Sequence, residues 1–517
     1  MALQFIIWFN AGSPWTNFRI LRLNQEQRKV VESFQNGSAL YSTVMVLSFF
    51  VCAHFLAFTV LPSAGNGLVV TPGVIPLPTR TQVRYQQAEI IATVGFQMDT
   101  YAYDDGDPGC NAQNWNRGVK TSDPSTLAPT DLNITQWALV LQSLGAKIAW
   151  MNAKHGCGFL MFKTSAKIPG TNKPYGYDVF APGAIQRDVV AEFREEMMKV
   201  GISPGYYYSL KDNFYLNVHT GGTVGTNATL LPGMQNVTQS EFEQISLAQL
   251  RELWTNYGAL SETWFDGGWA PTMAMRLKAL VQELLPHTAA FGGFGVSDNP
   301  VKWVGTESGL PVGPIWSLGS SRQGESNGTV FVPTGCDTVL MTPHTWFAIK
   351  GMGVRTLEDM INSYHRTVGN NCVMELGFAP LRSGLIPLDQ VSRAKEFGDW
   401  IRTCYGNPAG SANISRTKGG HDTTFTILLK KPSAVDRVLI QEDISYGQRI
   451  REYQVEAKSA SSDKWLPFSE GRSVGHKKID LVSDQIDDVT ALRLTLLASV
   501  GNPYMLAFQA FYPCQIA

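Results

Sequence analysis

Trp264-Phe265-Asp266-Gly267-Gly268 puts a carboxylate at the end of an apolar run and follows it with two glycines. The run over residues 260–265 reads as a short buried strand, and Gly258 closes the helix before it. Asp266 then stands at a strand's carboxyl end, the rim where a (β/α)8 barrel gathers its catalytic groups, and the glycines let a ligand approach the backbone. An aspartate there, between Trp264 and Trp269, suits a sugar ring stacked on aromatic faces beside a nucleophilic carboxylate. A turn aspartate capping the next helix is the plainer reading of the same five residues.

Outward from this stretch the same grammar recurs: amphipathic helix, glycine, short apolar strand. Residues 133–144 carry Trp137, Val140, Leu141 and Leu144 at helical spacing, Gly145 ends the helix, and residues 146–151 form the strand. Residues 188–200 repeat the theme with Val189, Val190, Phe193 and Met197, followed by Gly201 and the strand 202–208. Thr238-Gln239-Ser240-Glu241 is a capping box that opens a third helix, with Phe242, Ile245, Leu250, Leu253 and Trp254 inward. Further strands are expected at 289–293, 302–306, 314–318 and 372–376, and helices at 357–368 and 389–403. Together these units predict a (β/α)8-like catalytic domain over residues 87–406. From Thr423 onward short alternating runs such as Phe425-Thr426-Ile427-Leu428-Leu429 predict an antiparallel β-sandwich, placed at residues 407–517.

With 517 residues, 44% of them apolar, the chain is long enough for both units. A net charge of −1 with acids and bases interspersed gives no field for nucleic acid. No phosphate-cradling loop or cofactor fingerprint occurs, since Gly292-Gly293-Phe294-Gly295 lacks the spacing of a nucleotide site. Seven cysteines include Cys52 and six others without a CxxC pair, which argues against structural zinc; Cys404 and Cys514 bracket the final segment and are candidates for a bridge.

The amino terminus carries a separate message. No Asp, Glu, Lys or Arg occurs between Ser33 and Thr79, residues 40–61 are largely apolar, and Arg19, Arg22, Arg28 and Lys29 precede them. This reads as a leader at 1–38, a signal anchor or cleaved signal peptide at 39–62, and a linker at 63–86, with everything after it translocated. Glycan acceptor triplets begin at Asn133, Asn227, Asn236, Asn327 and Asn413. The expectation is a protein of the secretory pathway, extracellular or lysosome-like, touching membrane only through its amino-terminal apolar segment.

Several motifs in one order carry a family resemblance. They are Ala153-Lys154-His155 with Gly158-Phe159, Tyr206-Tyr207-Tyr208-Ser209, Trp264-Phe265-Asp266-Gly267, Trp303-Val304-Gly305-Thr306-Glu307-Ser308-Gly309, Val332-Pro333, Cys336-Asp337, Trp346-Phe347, and Gly369-Asn370-Asn371-Cys372 leading to Pro380 and Gly384-Leu385-Ile386. From about Gln87 to the end, including Gly447-Gln448-Arg449-Ile450 in the tail, the chain resembles the α-L-fucosidases of glycoside hydrolase family 29, in particular their plant-type and fungal-type branch.

The resemblance implies a retaining exo-glycosidase that removes terminal α-L-fucose from oligosaccharides or glycoproteins without a cofactor or metal. Asp266 matches the family's nucleophile and Glu307 the general acid and base of the plant-type branch; Glu262, Glu325 and Glu375 are the alternatives for that second role. Two such carboxyls work about 5 to 5.5 Å apart, the nucleophile ionised and the acid raised in pKa by its surroundings. His155 matches a histidine that binds fucose hydroxyls, Tyr208 and Trp264 match further sugar-facing positions, and Trp269 and Trp346 are candidates for the aromatic wall.

The chain also departs from the pattern. His155-Gly156-Cys157 lacks the second of two adjacent histidines, Gly95-Phe96-Gln97 stands where many members have His-Phe-Gly, Gly335 replaces a glutamate, and Thr342 replaces an arginine. Each missing donor removes about 1 to 3 kcal/mol of hydroxyl recognition. A lectin-like descendant that binds glycans without turnover, or a hydrolase of a related deoxy sugar, is therefore the alternative expectation.

Overall fold

The structure is a computed structural model that describes residues 75–102, 110, 119–171, 173–225, 230–414 and 423–514. The amino-terminal apolar segment, Cys52 and Asn227 lie outside these residues. Among the described residues no helix is long and apolar enough to cross a membrane.

In chain order the first region runs α1 (Arg80–Ala88), β1 (Ile90–Val94), α2 (Ile134–Leu144), β2 (Ile148–Lys154), α3 (Val189–Lys199), β3 (Ser203–Tyr208), α4 (Gln239–Asn256), β4 (Glu262–Trp264), α5 (Ala274–Leu284), β5 (Ala289–Phe291), β6 (Pro300–Trp303), β7 (Thr334–Val339), α6 (Leu357–Arg366), β8 (Val373–Phe378) and α7 (Leu388–Gly406). Local chemistry sets these boundaries. The Asn133 side chain accepts from the Gln136 amide to start α2, and Gly145, at φ 96°, ends it in a conformation that only glycine adopts without cost. At α4 the reciprocal box of Thr238 and Glu241 forms as its sequence predicts. The apolar faces then bury against the strands, and Trp137, Leu141, Phe193, Phe242, Leu250 and Leu253 are sealed from solvent. Each such side chain contributes about 1.5–3 kcal/mol.

The eight strands are all parallel and pair in sequence order, with β1 hydrogen-bonded to both β2 and β8, so the sheet closes into a barrel. One expectation needs correction. Residues 314–318 are not a barrel strand; β7, at Thr334–Val339, takes that place. The connections β5 to β6 and β6 to β7 also contain no α-helix. The physical reason that residues 314–318 stay out of the barrel lies in Lys302, whose buried ammonium donates to the carbonyls of Trp316 (2.7 Å), Leu318 (3.4 Å) and Gly319 (3.0 Å). Those carbonyls solvate a cation in a loop instead of continuing a ladder or helix.

Beyond α7 the chain forms β9 (Gly410–Ser411), β10 (Thr424–Glu442), β11 (Ile450–Ser459), β12 (Leu466–Gly471), β13 (Lys478–Ser499) and β14 (Met505–Phe511), an antiparallel sheet in the order β9-β14-β10-β13-β11-β12. The long strands β10 and β13 shift register at Leu428/Ser433, Ser433/Val435 and Val435/Arg437. Such bulges bend a strand, and both halves of β10 reach one core, with Phe425 and Ile427 joined there by Val438 and Ile440. The sandwich is thus made from one continuously paired sheet.

This sheet docks on the end of the barrel where strands begin. Glu89, one residue before β1, accepts from His476 Nε2 (3.0 Å) and Lys477 Nζ (2.5 Å), and Asn371, just before β8, accepts from the His476 amide (2.8 Å). The opposite end is left to the loops. Disulfides join Cys110 to Cys157, Cys336 to Cys372 and Cys404 to Cys514. The acceptor residues Asn133, Asn236, Asn327 and Asn413 are exposed.

Candidate active site

Strand alternation decides which side chains meet at the carboxyl ends of the barrel strands. On β4, Glu262 and Trp264 point into the barrel, and the following Phe265 packs outward against Trp254 and Trp269. Asp266 therefore returns to the inner side at the mouth, where it is exposed and accepts from Tyr207 Oη at 2.9 Å. Gly267 adopts φ 67°, and a Cβ there would lie 2.2 Å from Lys211 Cδ. The close approach expected of a ligand at this glycine is made by the Lys211 stem.

Tyr207 occupies the place that sequence reading gave to Tyr208. Tyr208 faces the helices instead, donating to Gln249 Oε1 on α4 at 2.6 Å and lying under the Lys154 ammonium at 4.7 Å. Tyr206, Tyr207 and Tyr208 are all aromatic and all buried, so no polar and apolar alternation marks which one turns inward.

His155 reaches the mouth by a device that no motif reveals. Pairing of β2 with β3 slips between Asn152 and Lys154, opposite Tyr207 and Tyr208. The slip reverses the facing of the residues after it, so Lys154 packs outward and His155 inward. The imidazole Nδ1 then lies 3.1 Å from Oδ2 of the fully buried Asp99. Burial alone would lower the imidazole pKa, but Asp99 and then Asp266 outweigh it and raise it. The His155 ring is 5.7 Å from that of Tyr207 and 4.9 Å edge-on from Phe347.

Glu307 stands on the loop after β6 and is exposed, with Oε2 accepting from Trp346 Nε1 at 3.1 Å and His344 Nε2 at 3.3 Å. His344 holds its carboxyl below the usual range, aided by Trp346 and opposed by partial burial. The raised pKa expected of an acid is therefore reversed here, because two donors outweigh desolvation. A chain of contacts runs from Asp266 to Tyr207, His155, Phe347 and its neighbour Trp346, and from Trp346 to Glu307.

Trp264 takes another place than the sugar-facing one expected of it. Trp264 is sealed below Asp266, stacked on Phe291 at 3.6 Å, and its Nε1 is shared between Glu262 Oε1 (3.0 Å) and Glu375 Oε2 (3.1 Å). Trp269 is held edge-on against the outward Phe265 at 5.4 Å. Of the three alternative acids, Glu325 folds back onto its own loop through the Ser321 amide (3.3 Å). Glu262 and Glu375 face each other inside the barrel, both fully buried, and Glu375 also accepts from Tyr85 Oη (2.5 Å) and Trp150 Nε1 (3.0 Å). Burial drives both pKa values up, Glu375 to about 7 and Glu262 well above its ordinary value, the latter helped by the charge of Glu375. This sealed pair was invisible in the sequence, since its members are far apart along the chain.

The departures at glycine have a steric explanation. A Cβ at Gly335 would lie 2.3 Å from Phe291 and 2.9 Å from Glu375 Oε1, so the interior has no room for a side chain there. At Gly95 it would lie 1.8 Å from the Trp346 carbonyl oxygen, because the His344–Trp346 loop rests on that residue. Among the described residues no group of three or more His, Cys, Asp or Glu is arranged to hold a metal ion.

A family model described as Alpha-L-fucosidase matches residues 120–406, more than half of the chain. Alpha-L-fucosidase 1 of Arabidopsis thaliana is 24% identical over 453 residues, covering 78% of this chain and 82% of the plant protein. Among solved structures, a proposed alpha-L-fucosidase from Bacteroides thetaiotaomicron superposes with a TM-score of 0.72 at 27% identity, over 85% of this chain and all of that one. A Ruminococcus gnavus GH29 fucosidase in complex with fucose shares the fold, with a TM-score of 0.70 at 19% identity over 87% of this chain and 98% of that one.

Proposed function

The chain belongs to the α-L-fucosidase family, glycoside hydrolase family 29, and from that premise we propose that it is a retaining exo-glycosidase that hydrolyses terminal α-L-fucosyl residues of oligosaccharides or glycoproteins. The observation that carries this reading is the pair of accessible carboxyls, Asp266 and Glu307, joined through Tyr207, His155, Phe347 and Trp346. Asp266 attacks the anomeric carbon while the bond to the aglycone oxygen breaks, and Glu307 delivers its proton to that oxygen. The product of this step is a glycosyl ester on Asp266. Glu307, now a base, takes a proton from water; the water oxygen bonds to the anomeric carbon, the ester bond breaks, and Asp266 is freed as a carboxylate. Tyr207 orients Asp266 and shares its charge, and His155 is placed to donate to a sugar hydroxyl. Double displacement needs no cofactor.

The same reading puts the protein in the secretory pathway, extracellular or lysosome-like, with its amino-terminal apolar segment as signal peptide or anchor. Three disulfides support an oxidising compartment.

Azide separates the two proposed roles by stereochemistry. With an aryl α-L-fucoside and sodium azide, Asp266→Gly is expected to give the β-fucosyl azide by direct displacement, and Glu307→Ala the α-fucosyl azide by capture of the ester. Release of fucose at the parental rate by either variant would sink the assignment for that residue.

A further inference from the structure

The segment from His344 to Phe347 is not part of the two-step chemistry, yet it touches both the proposed acid and the sugar-binding histidine of the mouth. Trp346 Nε1 and His344 Nε2 both donate to Glu307, and Phe347 packs on His155. Thr345 Oγ1 donates to the Phe347 carbonyl at 2.7 Å, which tightens the turn. The segment is seated on two glycines. Trp346 Cζ3 would lie 3.0 Å from a Cβ at Gly377 on β8, and the Trp346 carbonyl 1.8 Å from one at Gly95, just after β1. Any side chain at residue 95 would have to push the segment away.

Both donors converge on the same oxygen of Glu307, Oε2, and among the described residues none donates to Oε1. A carboxyl whose one oxygen accepts two hydrogen bonds carries its proton on the other. Among the described residues, the other charged groups near this carboxyl are Asp337, whose own ionisation Glu307 opposes, and Arg322, whose guanidinium reaches the Gly305 carbonyl (3.4 Å) and the Trp303 ring (5.7 Å).

We infer that His344 and Trp346 are positioning residues for the general acid: seated on Gly95, they grip Oε2 of Glu307, direct its proton to Oε1, and set the pH above which the acid is lost. This deepens the proposed function and rests on Glu307 being the acid. The contacts fix the sign. Donors to a carboxylate favour its ionised form, so the grip moves the alkaline limb of kcat/KM to lower pH and confines the enzyme to acid conditions.

The experiment measures kcat/KM against pH for His344→Gln, Trp346→Phe and Gly95→Ala, using two aryl α-L-fucosides, one with a good and one with a poor leaving group. Trp346→Phe keeps a ring and removes only the N–H. Loss of either donor is expected to move the alkaline limb to higher pH, and to slow the poor leaving group more than the good one because the proton is no longer directed. Gly95→Ala should reproduce both effects from a distance. If the alkaline limb stays in place in both His344→Gln and Trp346→Phe, the inference is overturned, whatever the change in rate. Failure of the underlying assignment looks different: Glu307→Ala would then release fucose normally and yield no α-fucosyl azide.

Discussion

Asp266 and Glu307 stand in solvent at the barrel mouth, whereas Glu262 and Glu375, on β4 and β8 of the same barrel, are sealed beneath it. The mouth carboxyls each lean on neutral or weakly basic donors, Tyr207 for one and His344 with Trp346 for the other. Among the described residues the interior pair has Tyr85, Trp150 and Trp264 as donors, and burial forces it to retain a proton. The contrast teaches that the most displaced pKa in a barrel does not mark its chemistry. Displacement measures exclusion from water, whereas hydrolysis needs acids that a sugar and a water molecule reach.

Exchanging the damage between the two regions tests this most severely. Asp266→Asn is expected to lower kcat/KM by about 10⁴-fold or more while the unfolding midpoint stays where it is. Glu375→Ala strips an acceptor from Tyr85, Trp150 and Trp264 and opens a cavity, which costs about 3–5 kcal/mol of stability in denaturant titration. Glu375→Gln keeps an acceptor for those donors and gains one N–H for Glu262, so its cost is expected below about 1.5 kcal/mol. A stable, inactive Glu375→Ala protein would erase the distinction.

A finer test lies where the mouth borrows a buried acid. Asp99 is as sealed as the interior pair, yet it acts on the exposed region through His155. Asp99→Asn removes the charge that keeps the imidazole protonated, so the His155 pKa, read by NMR titration, should fall, and kcat/KM should drop about ten-fold. An unmoved His155 titration would reduce the contact to packing.

The smallest effect concerns stability against pH. An acid whose pKa is raised on folding binds its proton more tightly folded than unfolded, so stability falls as pH rises from the ordinary value to the folded one. For Glu375 that window runs from 4.5 to about 7, and Glu442, buried at the end of β10, adds the same trend over the same range. Glu89 opposes them at the acid end: Lys477 and His476 overcome its burial and hold it at about 2, so its contribution is present above 4.5 and is lost as pH falls towards 2. The thermal midpoint should therefore be higher at about pH 5 than at about pH 8, and Glu375→Gln should flatten the difference.

Local pattern alone carried much of this protein. Apolar residues at helical spacing, capping residues such as Asn133 and Thr238, and the glycines at 145, 201 and 258 mark the repeated units, because helix and strand boundaries are set by residues a few positions apart. The run ending at Asp266 likewise announced a carboxylate at a strand terminus. Only the folded chain decided which neighbours face inward. The slip at Lys154 turned His155 into the mouth, and three consecutive tyrosines gave no sign that Tyr207, not Tyr208, would meet Asp266. The pairing of residue 262 with 375, of 307 with 344, and the seating of Trp346 on Gly95 were equally hidden. Those contacts join segments tens to hundreds of residues apart, and sequence periodicity reports only what the chain does within a turn or two of itself.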